Sequence, residues 1–153
     1  MPVGIHNKDL LKSLKSLLIS DCPKFVSFPK SGLPTPNLIS IFISNCRNLK
    51  ELPHQFHTLN SLKSLTITDG PKLVSLSQGG LPTRLSTLSI TFCDNLMLGK
   101  EWGLHKLDCL RWLEIEGGCQ NVLRVRGLLN LKHVNYKGLQ HLTALTTLKI
   151  SMV

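Results

Sequence analysis

Aromatic residues make up only 5% of this 153-residue chain, too few to build the stacking platforms that single-stranded nucleic acid requires. Uninterrupted apolar stretches are a handful of residues long, whereas a membrane-spanning helix needs ~20, so no transmembrane helix is expected. The opening residues, Met1-Pro2-Val3-Gly4-Ile5-His6-Asn7-Lys8-Asp9, lack the continuous apolar segment of a secretory signal. No C-x-x-C occurs, and no G-x-x-x-x-G-K-[ST] phosphate loop, so neither a zinc ribbon nor a P-loop nucleotide site is expected. Acidic residues are scarce, 9 Asp+Glu against 18 Lys+Arg, giving a formal net charge of +9. Gly (11) and Pro (8) are spread along the chain, which excludes collagen-like or linker segments. With 42% hydrophobic and 18% charged residues, the chain has enough apolar surface to fold.

Leucine is what the sequence has in excess, outnumbering all the aromatics together several times over. Most leucines fall on one template, L-x-x-L-x-I-x-x-C-x-x-L-x-x-L. The first copy reads Leu14, Leu17, Ile19, Cys22, Phe25, Phe28, and the second Leu38, Ile41, Ile43, Cys46, Leu49, Leu52. The third reads Leu62, Leu65, Ile67, Gly70, Leu73, Leu76, and the fourth opens Leu85, Leu88, Ile90, Cys93, Leu96. A fifth begins at Leu110, Leu113, Ile115 and a sixth at Leu145, Leu148, Ile150. The period is about 24 residues, within the span of solenoid repeats, and it lengthens only before the last copy. A longer period overlies this one. Pro23-Lys24-Phe25-Val26-Ser27 recurs as Pro71-Lys72-Leu73-Val74-Ser75, and Gly32-Leu33-Pro34-Thr35 as Gly80-Leu81-Pro82-Thr83, both offset by two repeats. Duplication of a two-repeat unit explains the offset.

Template positions 4 and 6 are two apart and therefore share one face of a short strand, while positions 3, 5 and 7 point the other way. Each repeat alone has too little apolar surface to fold, and stacking makes a continuous core. The strands must run parallel, because only a long return brings the chain back to the same end. Six strands are expected near 15–20, 39–44, 63–68, 86–91, 111–116 and 146–151. Prolines 29, 34, 36, 53, 71 and 82 disfavour long helices in the returns. The expected class is α/β, as a leucine-rich-repeat solenoid or horseshoe, with a parallel sheet on the concave face and loops or short 3₁₀ turns on the convex face. Residues 126–144 break the spacing and remain unassigned. The ends carry no clear capping repeat, and the expectation is a single domain that is a fragment of a longer protein.

The template, together with Asp21-Cys22-Pro23, Asn45-Cys46-Arg47-Asn48-Leu49-Lys50-Glu51-Leu52-Pro53 and Gly138-Leu139-Gln140-His141-Leu142-Thr143-Ala144-Leu145, resembles the C-terminal repeats of plant intracellular immune receptors. These are the nucleotide-binding leucine-rich-repeat (NLR) disease-resistance proteins, particularly the coiled-coil class. The resemblance implies a cytoplasmic or nuclear protein-interaction module for pathogen recognition, or one that holds the nucleotide switch inactive. Its partner would be a pathogen effector, a host protein, or the receptor's own nucleotide-binding module. Two other readings stay open. One is a free-standing scaffold or ubiquitin-ligase substrate adaptor, and the other, weaker, is a basic nucleic-acid-binding surface.

Cys22, Cys46, Cys93 and Cys119 share one template position, where a free thiol serves as a small buried hydrophobe; Cys109 lies outside that column. His54 and His57 form an isolated H-x-x-H with no carboxylate or cysteine at metal-ligand spacing, so no metal and no cofactor is expected. Basic residues are dispersed, with Arg124 and Arg126 the tightest group, which disfavours nucleic acid. Glu114 and Glu116 share a strand face, but hydrolysis also needs an enclosed pocket and a second positioned group; no enzyme is expected. The expected concave face is mostly serine and threonine. Larger side chains interrupt it at Leu18 and Phe42, predicted neighbours, and at Trp112, Glu114 and Glu116. These five are the candidate binding residues; the competing reading buries Phe42 or Trp112 under a loop or an adjacent domain.

Overall fold

The computed structural model describes residues 11–76, 79–96, 103, 106–117 and 147–152, with backbone alone for 115–117 and 147–152. Strands β1 (Ser16–Ser20), β2 (Ser40–Ser44), β3 (Ser64–Thr68), β4 (Thr87–Thr91), β5 (Trp112–Gly117) and β6 (Thr147–Met152) form one sheet in chain order. Every neighbouring pair is parallel, with one-to-one register such as Leu17↔Ile41, Ile41↔Leu65, Leu65↔Leu88 and Leu88↔Leu113. The protein is a parallel β-solenoid. Residues 126–144, Cys119 and the side chain of Glu116 lie outside this description.

Two turns frame each rung. Before the strand, a hydrogen bond closes over three residues: Leu38 N–H to Thr35 (3.1 Å), Leu62 to Leu59 (3.0 Å), Leu85 to Pro82 (3.3 Å) and Leu110 to Leu107 (3.2 Å). Each places the first leucine of the template in the core, and all four are fully buried. After the strand, one residue takes a positive φ, namely Asp21, Asn45, Asp69 and Phe92 at 51–55°. Asn and Asp tolerate that region better than other side-chain-bearing residues. A second turn follows, closed by Phe25 N–H to Cys22, Leu49 to Cys46, Leu73 to Gly70 and Leu96 to Cys93 at 3.0–3.1 Å. Pro23 and Pro71 hold its second position, where the fixed proline φ suits a β-turn.

That turn accounts for part of the two-repeat period. The side-chain amide of Asn48 donates to the Pro23 carbonyl (2.6 Å), and that of Asn95 to the Pro71 carbonyl (2.7 Å). A Pro-Lys turn in one repeat is thus locked by an asparagine from the next, and Lys72 Nζ donates in turn to Asn48 Oδ1 (2.7 Å). In the other recurrent motif, Gly32 and Gly80 both have positive φ (80° and 89°). A Cβ on Gly32 would stand 3.0 Å from the His54 carbonyl oxygen, so space and backbone both require glycine there.

Buried columns run through the stack: Leu38, Leu62, Leu85 and Leu110; Ile41, Leu65, Leu88 and Leu113; Ile43, Ile67 and Ile90. The cysteine column has its own bonding. Cys46 Sγ donates to the Ser44 carbonyl (3.4 Å), and Cys93 Sγ to that of Thr91 (3.6 Å). Each sulfur also accepts a backbone N–H from the preceding rung, of Cys22 and Gly70 respectively. Burial raises both thiols, Cys93 to about 12. Cys22, Cys46, Cys93 and Cys109 are free thiols.

The α component of the expected α/β class has no counterpart among the described residues. Helical structure there amounts to 3₁₀ turns, at Phe56–Thr58 and around Lys106. The returns between β1 and β4 each carry proline and a left-handed residue, at Gly32, Gln55 and Gly80. Both features interrupt an i→i+4 ladder before it nucleates.

Two measurements follow from these contacts. Asn48→Ala removes the lock on Pro23 and is expected to cost about 1 kcal/mol in urea denaturation, since a partly hydrated bond is worth that much; an unchanged midpoint would refute the lock. Cys93 is neutral in the fold up to about pH 12, while an unfolded thiol ionises near 8.5. Its contribution is therefore complete below pH ~8.5 and is lost towards pH 12, at about 1.4 kcal/mol per unit. The stability difference between wild type and Cys93→Ala should narrow accordingly from pH 8 to 10.5.

Candidate binding face

The sheet face opposite the core is set by strand alternation. Position 5 stacks Leu18, Phe42, Thr66, Ser89 and Glu114 in register, and position 3 stacks Ser16, Ser40, Ser64, Thr87 and Trp112. Hydroxyls knit the polar part: Ser16 and Ser40 Oγ are 2.7 Å apart, and Thr91 Oγ1 donates to Thr68 Oγ1 at 2.7 Å. Cross-strand bonds of this kind stiffen the surface without demanding burial.

Leu18 and Phe42 are direct register partners, 66% and 39% exposed. An apolar pair lies open on a hydroxyl surface there. Trp112 is 41% exposed and pairs with Thr87, while Glu114 pairs with Ser89. Ser89 is buried, and its hydroxyl donates to Glu114 Oε2 at 2.8 Å, which ties that carboxylate, on the same strand as the Trp112 indole, to β4. Glu116 is in register with Thr91 at the Cα level. The two groups are not brought together: β2 and β5 are three strands apart, about 14 Å at the usual spacing. The face thus carries two separated groups of larger side chains, one apolar and one mixed aromatic and acidic.

Its two rims differ in charge. Lys15, Lys63 and Arg111 precede β1, β3 and β5 and are exposed. Asp21 and Asp69 follow β1 and β3. The trailing rim is cross-linked: Asn45 Nδ2 donates to Asp21 Oδ1 (2.6 Å), Arg47 Nε to Asn45 Oδ1 (3.0 Å), and Arg47 lies 3.5 Å from Asp69 Oδ2.

Phe92 is the residue that sequence reasoning missed. It occupies the same left-handed corner as Asp21, Asn45 and Asp69, with φ 55°, and is 42% exposed. An aromatic ring in that conformation is costly, and it ends the polar cross-linking of the rim. Comparing template position 8 across repeats, Asp-Asn-Asp-Phe, carries the signal.

His54 and His57 lie on the return side, in a groove of about 480 Å³ with Lys30, Glu51 and Ser75. The His57 ring packs onto Gly79 so closely that a Cβ there would collide with it. Among the described residues, no three His, Cys, Asp or Glu side chains group to hold a metal ion. No helix among them is long and apolar enough to cross a membrane.

The fold and face together define a parallel β-solenoid presenting an open, hydroxyl-rich surface interrupted by two groups of larger side chains. Compared with known proteins, the chain is 44% identical over 139 residues to a curated Arabidopsis thaliana protein named as a candidate disease resistance protein. The match covers 81% of this chain but only 10% of that protein, so the chain spans about one-tenth of its relative's length. No family model matches the chain, and no solved structure does.

Phe92→Ala and Phe92→Asn remove the same ring, but asparagine suits the left-handed corner. The Asn variant is expected to be more stable than the Ala variant by about 1 kcal/mol in urea denaturation; equal stabilities would show that the corner stores no strain.

Proposed function

We propose that this chain is a protein-interaction module of a plant immune receptor of the NLR class, working in the cytoplasm or nucleus without catalysis. The observation that carries the reading is the 44% identity, over 81% of the chain, to a protein named for disease resistance. The open face supports it. Leu18 with Phe42, and Trp112 with Glu114, present the kind of side chains that dominate binding energy when a partner covers them. The partner is a pathogen effector, a host protein, or the receptor's own nucleotide-binding module. Because each rung is hydrogen-bonded in register to the next, the side chains of the face are held in fixed order, which lowers the entropic cost of association. A ligand acts on the switch only through its differential affinity for the on and off states.

The test is genetic. Disrupting the gene in its host should change the defence response, either as susceptibility to a challenging pathogen or as constitutive activation. A wild-type allele should restore the normal response, whereas alleles with Leu18→Ala/Phe42→Ala or Trp112→Ala should restore about a tenth of it or less at equal protein level. An unaltered response in the disrupted line, or full rescue by both face variants, would sink the proposal.

A further inference from the structure

The duplicated Pro-Lys-x-Val-Ser motif is not on the sheet face. It forms the flank of the solenoid just beyond the second turn, and the return segments are hydrogen-bonded there from rung to rung. Lys50 N–H donates to the Val26 carbonyl (2.9 Å), and Val74 N–H to that of Lys50 (3.4 Å). One column therefore reads Val26, Lys50, Val74, and the column two residues earlier reads Lys24, Asn48, Lys72. Val26 and Val74 are 43% and 50% exposed, and all three lysines are exposed. Asn48 is spent on its bonds to Pro23 and Lys72, which hold the columns in line. The nearby carboxylates are engaged elsewhere: Asp21 accepts from Asn45, Asp69 faces Arg47, and Glu51 lines the return-side groove with Lys30.

We propose that this flank is a second docking surface, which takes an acidic amphipathic helix of a protein partner laid along the solenoid axis. Charge complementarity and spacing carry the argument. Lys24 and Lys72 are two rungs apart, about 9.6 Å, and residues seven apart on a helix are separated by about 10.5 Å. Carboxylates at that spacing meet both lysines, apolar residues between them meet Val26 and Val74, and a central carboxylate meets Lys50. A nucleic-acid backbone has no use for the two valines, and the one ring of the motif, Phe25, packs edge-on against Phe28 and the core rather than standing free to stack a base. The proposal is independent of the sheet-face reading, because none of these residues lies on that face.

The probe is a fluorescein-labelled peptide of about 21 residues, long enough to hold a helix, with glutamate every seventh residue, a further glutamate midway between each pair to meet Lys50, and leucine at the positions facing Val26 and Val74. Fluorescence anisotropy with the full chain should give a dissociation constant in the micromolar range. Lys24→Glu/Lys72→Glu is expected to weaken binding about tenfold or more, and Val26→Ser/Val74→Ser about fivefold. Trp112→Ala should leave it unchanged. Lys50→Glu is a second, independent charge variant, and circular dichroism melts confirm that each variant is folded. Binding insensitive to both the lysine and valine pairs would overturn the proposal. So would equal affinity for duplex DNA, or for phosphatidylcholine vesicles doped with phosphatidylserine, with lysine dependence but no valine dependence, since that marks general polyanion attraction.

Discussion

Each strand meets the next in one-to-one parallel register, so every residue has its counterpart about 4.8 Å away in the neighbouring turn. Every side-chain type must therefore tolerate itself, or a chosen substitute, at that distance. Leucine and isoleucine satisfy the demand in the core by interlocking, and serine and threonine satisfy it on the sheet face by sharing protons, as Thr91 does with Thr68. Charge does not satisfy it. Two like charges one rung apart repel by about 0.9 kcal/mol even in bulk water, and two rungs apart by about half that before salt screening. The two-repeat period keeps like charges at the longer distance. Lys15 and Lys63 are separated by Ile39, Asp21 and Asp69 by Asn45, and Lys24 and Lys72 by Asn48. The two-repeat offset is thus the electrostatic counterpart of the single-repeat apolar period, and the Pro23–Asn48 and Pro71–Asn95 bonds are its hydrogen-bonded expression.

The parts of the structure that follow from strict stacking are legible in the residue pattern. Strand alternation places Leu18 opposite Phe42 and sets Trp112 and Glu114 on the same face, because a period of two leaves no other side for them. What depends on a conformation rather than a period is not legible in the same way. Phe92 reads as one more turn residue until the left-handed backbone at Asp21, Asn45 and Asp69 is known. The cysteine column reads as small and buried, but not as a set of sulfurs that donate to one carbonyl and accept an N–H from the preceding rung. The α in the expected class comes from the usual partner of a parallel sheet; the prolines of the returns already argue against long helices in the sequence, and the left-handed backbone at Gly32, Gln55 and Gly80 adds a second interruption that no period reveals. Residues 126–144, where the spacing fails, give pattern reasoning nothing to hold, and they lie outside the described residues.

A solenoid of this kind sets its surfaces by column, which separates stability from recognition. Core columns answer to the stack, since each leucine touches only its own and adjacent rungs. Columns that point outward are constrained only by self-tolerance, so a single large residue there costs little and changes the surface locally. Leu18 with Phe42 and Trp112 with Glu114 are such departures, about 14 Å apart on an otherwise uniform hydroxyl sheet. Phe92 differs in kind, because it sits at a corner that asks for asparagine or aspartate and holds an exposed ring against that preference.

The flank spans three turns, and two of them also carry the apolar pair of the face. Leu18 and Phe42 belong to β1 and β2, while Lys24, Lys50 and Lys72 follow β1, β2 and β3. Neighbouring rungs are tied to each other at the left-handed corner between the two surfaces, as by the backbone bonds from Asp21 N–H to the Ser44 carbonyl and from Asn45 N–H to that of Thr68, each 3.0 Å. A partner that selects one twist between rungs on either side must impose that twist on the other. Coupling between the two surfaces would then be reciprocal, and limited by how far the rung twist differs between the free and bound states. Close core packing and the one-to-one register resist that difference. With both proposed surfaces occupied, these turns would hold two partners in fixed relation rather than exchange one for the other.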